Sequence, residues 1–589
     1  MQASQLTIAP PKPIDVIFPT REPQGRYDAL SQAVLSHYAE HDHAACLQAM
    51  IDLLRAIEAD SRGPSPRVRA EITQAIHAFL GVFCRPDFVV PESAAPAILW
   101  FNPTIANAMA ASGDNTTDAY CASLEGQRQQ VFKSAVIMSP RNFGQFRLDE
   151  LFDVSPTLAS SWVCQTFKTA FAGNVHPRTR QNLIDICRTV DSRFVDVKDV
   201  QEPYFLSTYL GDPDAERAIK SAINAAIQRN VPPIDNGPPK RRVAVVSDFW
   251  YPGHSVHRTL SAYVEAIRPD FELILIHAIR ESNDLDQGMF DRVIKLAYDG
   301  QRLETAPLHG LGLDAIIYPD IGMTGYSIVM SNMRIAPVQI MMTGHPVSTF
   351  GSEIDYFISG ELVENEEHQA NYSERLVRLP GFGATHALPT YEPKGTPKDY
   401  DGVLINASWY GQKVVPEMLR MLDTAARDSG KRVKLQIFAG GAATNRCGFG
   451  AYLDAVGAAM SSCEVVVYPH LDYPHYMAQL ERGDFAVDCT PFAGSNTVSD
   501  NLWLRKPVVA LEGDRWFNRI GPAMLRAVGL DALVATNPHE FVGLITDMIR
   551  HGHVREAFAD QLAAVDLGER LYAPVGADAF REWVSRAVS

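Results

Sequence analysis

Residues 485–511 read FAVDCTPFAGSNTVSDNLWLRKPVVAL. A short apolar run, Phe485-Ala486-Val487, has the length and flanks of a buried strand. The chain then breaks at Pro491 and passes through Ala493-Gly494-Ser495-Asn496-Thr497. A helical pattern follows, with Val498, Leu502 and Trp503 on one side, and a second strand from Pro507 to Leu511 closes the unit. Strand, small polar loop, helix and strand make one parallel α/β unit. A loop entering a helix leaves backbone N–H groups free at the positive end of the helix dipole, which suits an anion such as a diphosphate. Asp500 follows Asn496 by one helical turn, so both can face one ligand. An ordinary N-cap is the competing reading, since Ser, Asn and Thr favour helix starts in any case.

The same alternation extends outward from this stretch. A sheet begins near Gly402 with VLINAS, whose loop WYGQK delivers Lys413 to the start of the next helix. VKLQIFAGG, EVVVYPH, FAVDCT, PVVALEG and ALVAT follow, each after a helical segment. Upstream, the Pro-rich run VPPIDNGPPKRR (231–242) reads as a linker. Val243-Ala244-Val245-Val246, FELILIHAI, LDAIIYPD, APVQIMMTG and IDYFISG then recur as strands of an earlier sheet. Doubly wound sheets bind ligands at the carboxyl ends of their strands. There the loops carry Gly253-His254, Asp320 to Thr324, and Gly344-His345-Pro346. The expected fold is α/β: two Rossmann-like, doubly wound lobes at 240–395 and 396–589 facing a cleft. A mainly helical domain, 1–235, precedes them, and the last helices pack back across the lobes.

The helical region opens on a Pro-rich, loose start (1–25). A stripe of Ala45, Met50, Leu53, Leu54 and Ile57 then marks an amphipathic helix. His41, His43 and Cys46 lie close in sequence, but two histidines two apart on a helix point in different directions, so a helix surface is the better reading than a metal site. Asp212-Pro213-Asp214 has the look of a metal-holding carboxylate pair, yet its place before a helical run favours an N-cap. The net charge of −16, from 53 basic and 69 acidic residues, argues against general nucleic-acid binding. No apolar run reaches 18 residues, so no membrane span is expected, and the N-terminus lacks a secretory pattern. The 8 cysteines are scattered without a CxxC pair, which suits reduced thiols in a cytoplasmic protein.

Several of these stretches together resemble glycosyltransferase family 41. They are GHSVHRT, MTGHPVSTFGSEIDYFISG with YSERLVRLP, YPHLDYPHYM, CTPFAGSNTVSD, and NLWLRKPVVALEGD with RIGPAMLRAVGLDALVATN. Within it, the bacterial cytoplasmic N-glycosyltransferases of adhesins are the nearer likeness, and the protein O-GlcNAc transferases the more distant one. The resemblance covers residues from about 240 to the end. It implies a GT-B fold, a UDP-sugar donor, no required metal or other cofactor, and transfer with inversion to a protein acceptor such as an adhesin. It further implies that Lys413 binds the diphosphate, that His470 and Tyr473 contact uracil and ribose, and that Asn496, Thr497 and Asp500 contact phosphate and ribose. Gly344 would let the first lobe's backbone approach the donor. His254 would position the acceptor or act as base, and Arg258 would orient the donor phosphates or the acceptor.

One departure bears on specificity. Where the N-glycosyltransferases carry a Gly-Gln-Ser-Asn-Gly run near the donor sugar, this chain reads Gly440-Gly441-Ala442-Ala443-Thr444, with Asn445 one step later. A site that reads hydroxyls by hydrogen bonds is sensitive to such a change. The expected activity is transfer of a hexose, glucose above all, from UDP to asparagine. The alternatives are an O-linked or small-acceptor transferase of the same fold, and a non-catalytic GT-B binding module.

Overall fold

The computed structural model describes residues 15–16, 27–60, 65–168, 176–440 and 446–589. Two seven-stranded sheets, parallel throughout, dominate it. The first is built from β2 (Arg242–Val246), β3 (Glu272–His277), β4 (Arg292–Lys295), β5 (Leu313–Tyr318), β6 (Val338–Met341), β7 (Tyr356–Gly360) and β8 (Arg375–Leu379), in the order β4-β3-β2-β5-β6-β7-β8. The second contains β1 (Asp15–Val16), β9 (Val403–Ala407), β10 (Val433–Gly440), β11 (Glu464–Pro469), β12 (Phe485–Val487), β13 (Val508–Leu511) and β14 (Val534–Ala535), in the order β1-β11-β10-β9-β12-β13-β14. The central strands are continuous apolar runs because helices cover both faces of a parallel sheet: Val243 to Val246 and Leu273 to Ile276 are all fully buried.

Three elements depart from the sequence reading. β4 (RVIK) and β8 (RLVRL) carry arginines and lysine on sheet edges, where a strand has a neighbour on one side only, so no apolar run announces them. Within the Pro-rich start, Asp15–Val16 pairs in parallel with Val466–Val467 and extends the second sheet.

The strand order reverses between β2 and β5 in one lobe and between β9 and β12 in the other. At each switch point the loops on either side leave the sheet in opposite directions and open a crevice. The final helix, Ala577–Ala587, returns to the first lobe and packs on Ser255–Ile267, with the Tyr263 and Phe580 rings 5.6 Å apart and Arg581 paired to Asp270 at 2.7 Å. The crossing expected of the last helices is therefore present.

The helical domain is not a separate body. One apolar core runs from it across faces of both sheets. From its last helix, Pro213–Gln228, Asn224 donates to the carbonyl of Thr349 in the first lobe at 2.7 Å, and Glu216 meets Arg515 of the second at 3.1 Å. Asp212 caps that helix by accepting from the N–H of Ala215 at 2.8 Å, as its position before the helical run led one to expect. Asp42 likewise caps the helix His43–Glu58, in which Cys46 faces the core and its thiol donates to the carbonyl of Val34. No described helix is long and apolar enough to cross a membrane.

Candidate active site

A cavity of about 340 Å³ lies where the two switch points face each other, a volume in the range of small-molecule sites. The loop after β2 brings His254, the loop after β6 brings Gly344 and His345, and the loop after β9 brings Lys413. The loop after β12 brings Phe492 to Thr497, and Trp516 and Phe517 follow β13. Five of the residues singled out from sequence thus line one cavity: His254, Gly344, Lys413, Asn496 and Thr497.

Lys413 stands at the end of a short 3-10 turn, Gly411–Lys413. Its Nζ donates to the carbonyl of Ala493 at 3.1 Å and sits 5.0 Å from the centre of the Phe492 ring. Burial lowers its pKa, with the nearby Cys489 and Asp488 pulling the other way. Among the described residues no carboxylate comes within ion-pair distance of it. The helix Asn496–Trp503 begins beside it without a side-chain cap, since Ser495 is instead hydrogen-bonded to His386 Nε2 at 2.8 Å. An ordinary N-cap therefore does not account for the Ser495-Asn496-Thr497 run.

His254 caps the helix Ser255–Ile267 from the opposite lobe. Its Nδ1 accepts the backbone N–H of Val256 at 3.2 Å, so the ring proton resides on Nε2. The ring stacks on Phe249 at 4.5 Å. Burial, aided by the charge of Arg280, lowers its pKa to about 4. A neutral imidazole with its Nδ1 lone pair already engaged can donate a hydrogen bond from Nε2, and it is a poor proton acceptor. Of the two roles the sequence left open, the geometry supports positioning.

Gly344 has a reason to be glycine that the sequence did not show. A Cβ there would lie 2.5 Å from the carbonyl oxygen of Pro319 and 3.1 Å from Val256, so the protein's own packing forbids a side chain, whatever the ligand requires.

The structure does not bring the remaining four residues to the cavity wall. Arg258, one turn beyond His254, pairs with Asp500 across the cleft at 2.8 Å. Tyr473 donates its hydroxyl to the same Asp500 oxygen at 2.9 Å, and the guanidinium lies 5.0 Å over the tyrosine ring. Asp500 thus joins Arg258 of the first lobe to Tyr473 of its own. His470 is exposed and apart from the cavity lining. Of the expected sugar-side segment, Gly440 has φ +62° and would place a Cβ 1.9 Å from the Tyr410 ring, while Gly441 to Asn445 lie outside the described residues. Among the described residues no group of three or more His, Cys, Asp or Glu side chains is gathered as metal ligands would be.

No family model matches the chain. It is 25% identical over 455 residues to the UDP-glucose:protein N-beta-glucosyltransferase of Actinobacillus pleuropneumoniae serotype 5b (strain L20), which spans 71% of this chain and 71% of that one. This likeness agrees with the resemblance to glycosyltransferase family 41 carried by the five stretches. The chain is also 28% identical over 221 residues to a probable UDP-N-acetylglucosamine–peptide N-acetylglucosaminyltransferase SPINDLY of Oryza sativa subsp. japonica, covering 36% of this chain and 24% of the rice protein. A mutant O-GlcNAc transferase of Thermobaculum terrenum superposes over 96% of this chain and 99% of its own length, with a TM-score of 0.56 at 18% identity. That likeness establishes the fold: a GT-B pair of lobes behind a helical region.

Sequence reasoning missed the aromatic side of the cavity. Phe205 and Tyr209 come from the helical domain, at Gln201–Leu206 and the turn after it. Phe205 lies 4.6 Å from the His345 ring, Tyr209 lies 4.4 Å from Phe492, and Phe492 stacks on Phe517 at 4.3 Å. Phe492 and His345 stood in stretches already singled out. Phe205 and Tyr209 carried no signal, because they belong to a helical segment a linker away from either lobe.

Proposed function

We propose that this chain is a glycosyltransferase of family 41 that transfers glucose from UDP-glucose to asparagine side chains of a protein acceptor, with inversion, in the cytoplasm of a bacterium. The observation that carries the reading is Lys413: an amine with no carboxylate within ion-pair distance among the described residues, facing an interlobe cavity beside an uncapped helix start. As the glycosidic bond breaks, negative charge accumulates on the departing diphosphate. A fixed cation and preorganised backbone N–H groups stabilise that charge more than they stabilise the bound donor. Asn496 and Thr497 stand at the same helix start and serve the diphosphate. Glucose and the protein acceptor are taken from the Actinobacillus relative, whose name states both.

His254 faces this group from the other lobe, on the side from which an inverting attack must come. Its Nε2–H orients the incoming side chain. Tyr209 and Phe205 extend the wall there, which gives the helical domain a share in acceptor recognition.

Incubation with UDP-glucose and a peptide containing Asn-X-Ser/Thr, followed by fragmentation mass spectrometry, tests the proposal. A hexose on asparagine is expected. Modification confined to hydroxyls would overturn the N-linkage and leave the fold's chemistry. Neither donor hydrolysis nor UDP binding would overturn the enzyme reading altogether and leave a GT-B binding module.

A further inference from the structure

Asp488 directly follows β12 and is 6% exposed. It faces no ligand, and nothing in the transfer reaction described above uses it. Its Oδ1 accepts two backbone N–H groups, those of Cys489 and Gly494, each at 2.8 Å. The Gly494 N–H belongs to the same peptide unit as the Ala493 carbonyl that receives Lys413 Nζ at 3.1 Å. In a trans peptide these two groups point in opposite directions. A carboxylate and an ammonium therefore hold one peptide from its two ends, and that peptide opens the loop into the helix Asn496–Trp503.

Two further contacts fix the arrangement. The Cys489 thiol donates back to the carbonyl of Lys413 at 3.2 Å. Asp488 Oδ2, which has no hydrogen-bond partner, lies 2.7 Å from where a Cβ on Gly521 would stand. The first turn of the helix Ile520–Ala527 approaches the carboxylate only because residue 521 has no side chain.

Resting on the reading that the cavity takes a UDP-sugar, we infer that Asp488 is a positioning residue for it: with Lys413 it clamps the Ala493–Gly494 peptide, and it supplies the counter-charge that keeps the lysine cationic while the site is empty. The charge balance is consistent with this. Burial lowers the pKa of Lys413, and the negative charge of Asp488 acts against that. Burial raises that of Asp488 to about 6, with the Gly494 N–H and the Lys413 charge acting against it. The Cys489 thiol is pushed up by burial and stays neutral. At neutral pH the Asp488 carboxyl is therefore ionised and its charge favours the protonated lysine, and removing it lets the lysine lose its proton at lower pH.

The test is calorimetric titration of UDP into the full chain from pH 7 to 10, where the nucleotide's own phosphates are already ionised. In the unaltered protein, affinity falls as Lys413 deprotonates. Asp488→Asn keeps an oxygen to accept the Gly494 N–H but removes the charge, and the midpoint of that fall is expected to move down by at least about one pH unit. Lys413→Arg retains its charge at every pH tested, so the only alkaline fall expected of it is the one that ionisation of the uracil ring imposes on every variant. An unshifted midpoint in Asp488→Asn, a uniform weakening at every pH, or an alkaline fall in Lys413→Arg as large as in the unaltered protein would each overturn the inference. Absence of UDP binding by the unaltered protein would instead refute the donor reading, and this inference with it.

Discussion

At the residue scale, Lys413 and His254 face each other across one cavity with opposite chemical assignments. The lysine acts on the donor, because charge on the leaving diphosphate is the charge it neutralises. Lys413→Ala is expected to weaken UDP binding and to lower turnover by about 10²–10³-fold, as loss of one preorganised donor does. His254→Ala is expected to leave UDP affinity nearly intact and to lower kcat by up to about 10²-fold through misplacement of the acceptor. Steady-state kinetics with calorimetry separates the two; a collapse of UDP affinity in His254→Ala would assign that histidine to the donor side. The pH dependence follows with its sign. The folded-state pKa of His254 is lowered to about 4, so it remains neutral above that value and contributes no acid limb to kcat between pH 5 and 7. The unfolded chain takes up that proton near pH 6.5, so the stability contributed by this histidine is present above that pH and is lost as pH falls through the window down to about 4.

At the element scale, the helix Pro213–Gln228 links the helical domain to both lobes, and its first turn depends on one side chain. Asp212 accepts from the N–H of Ala215 and also pairs with Arg188 at 2.7 Å. Asp212→Ala removes both contacts. The expected cost is about 1–2 kcal/mol, read as a lower thermal midpoint, with no change in donor requirement because the residue lies outside the cavity. Strands and helices with a buried face were legible in the sequence for the reason that makes this helix legible: apolar periodicity and a capping residue are local. β4 and β8 were not legible, because an edge strand is defined by its neighbour rather than by its own residues.

At the scale of the whole molecule, three domains meet at a buried ionic junction. Glu216 receives Lys220 at 2.6 Å and Arg515 at 3.1 Å, and all three side chains are less than a tenth exposed. A second link, Arg519 to Glu364, ties the lobes nearby. Burial alone would raise the carboxyl pKa of Glu216, but the two cations reverse that and hold it well below the usual carboxylate range. Glu216→Gln leaves two cations buried without their counter-charge. A loss of about 3–5 kcal/mol is expected, measured by thermal unfolding, and activity should fall with it because Arg515 precedes the cavity residues Trp516 and Phe517.

The chain's own residues determined the two parallel α/β lobes, the helical region before them, the loops that would carry chemistry, and a resemblance resting on five short stretches. These are properties of local periodicity and turn composition, written in contiguous residues. Contacts between residues far apart in the chain were decided by the tertiary structure alone. Arg258 could be read as a free guanidinium until Asp500, 242 positions away, was seen to hold it. Phe205 and Tyr209 could be assigned to a supporting domain until the fold laid them against Phe492. The tautomer of His254 depended on a backbone N–H two residues on, and Asp488 passed for a strand end until its two oxygens were seen between the peptide that Lys413 grips and the glycine of a helix that follows. A side chain's type is fixed by sequence, but its charge state and its aim depend on what the fold places within about 3–4 Å of it.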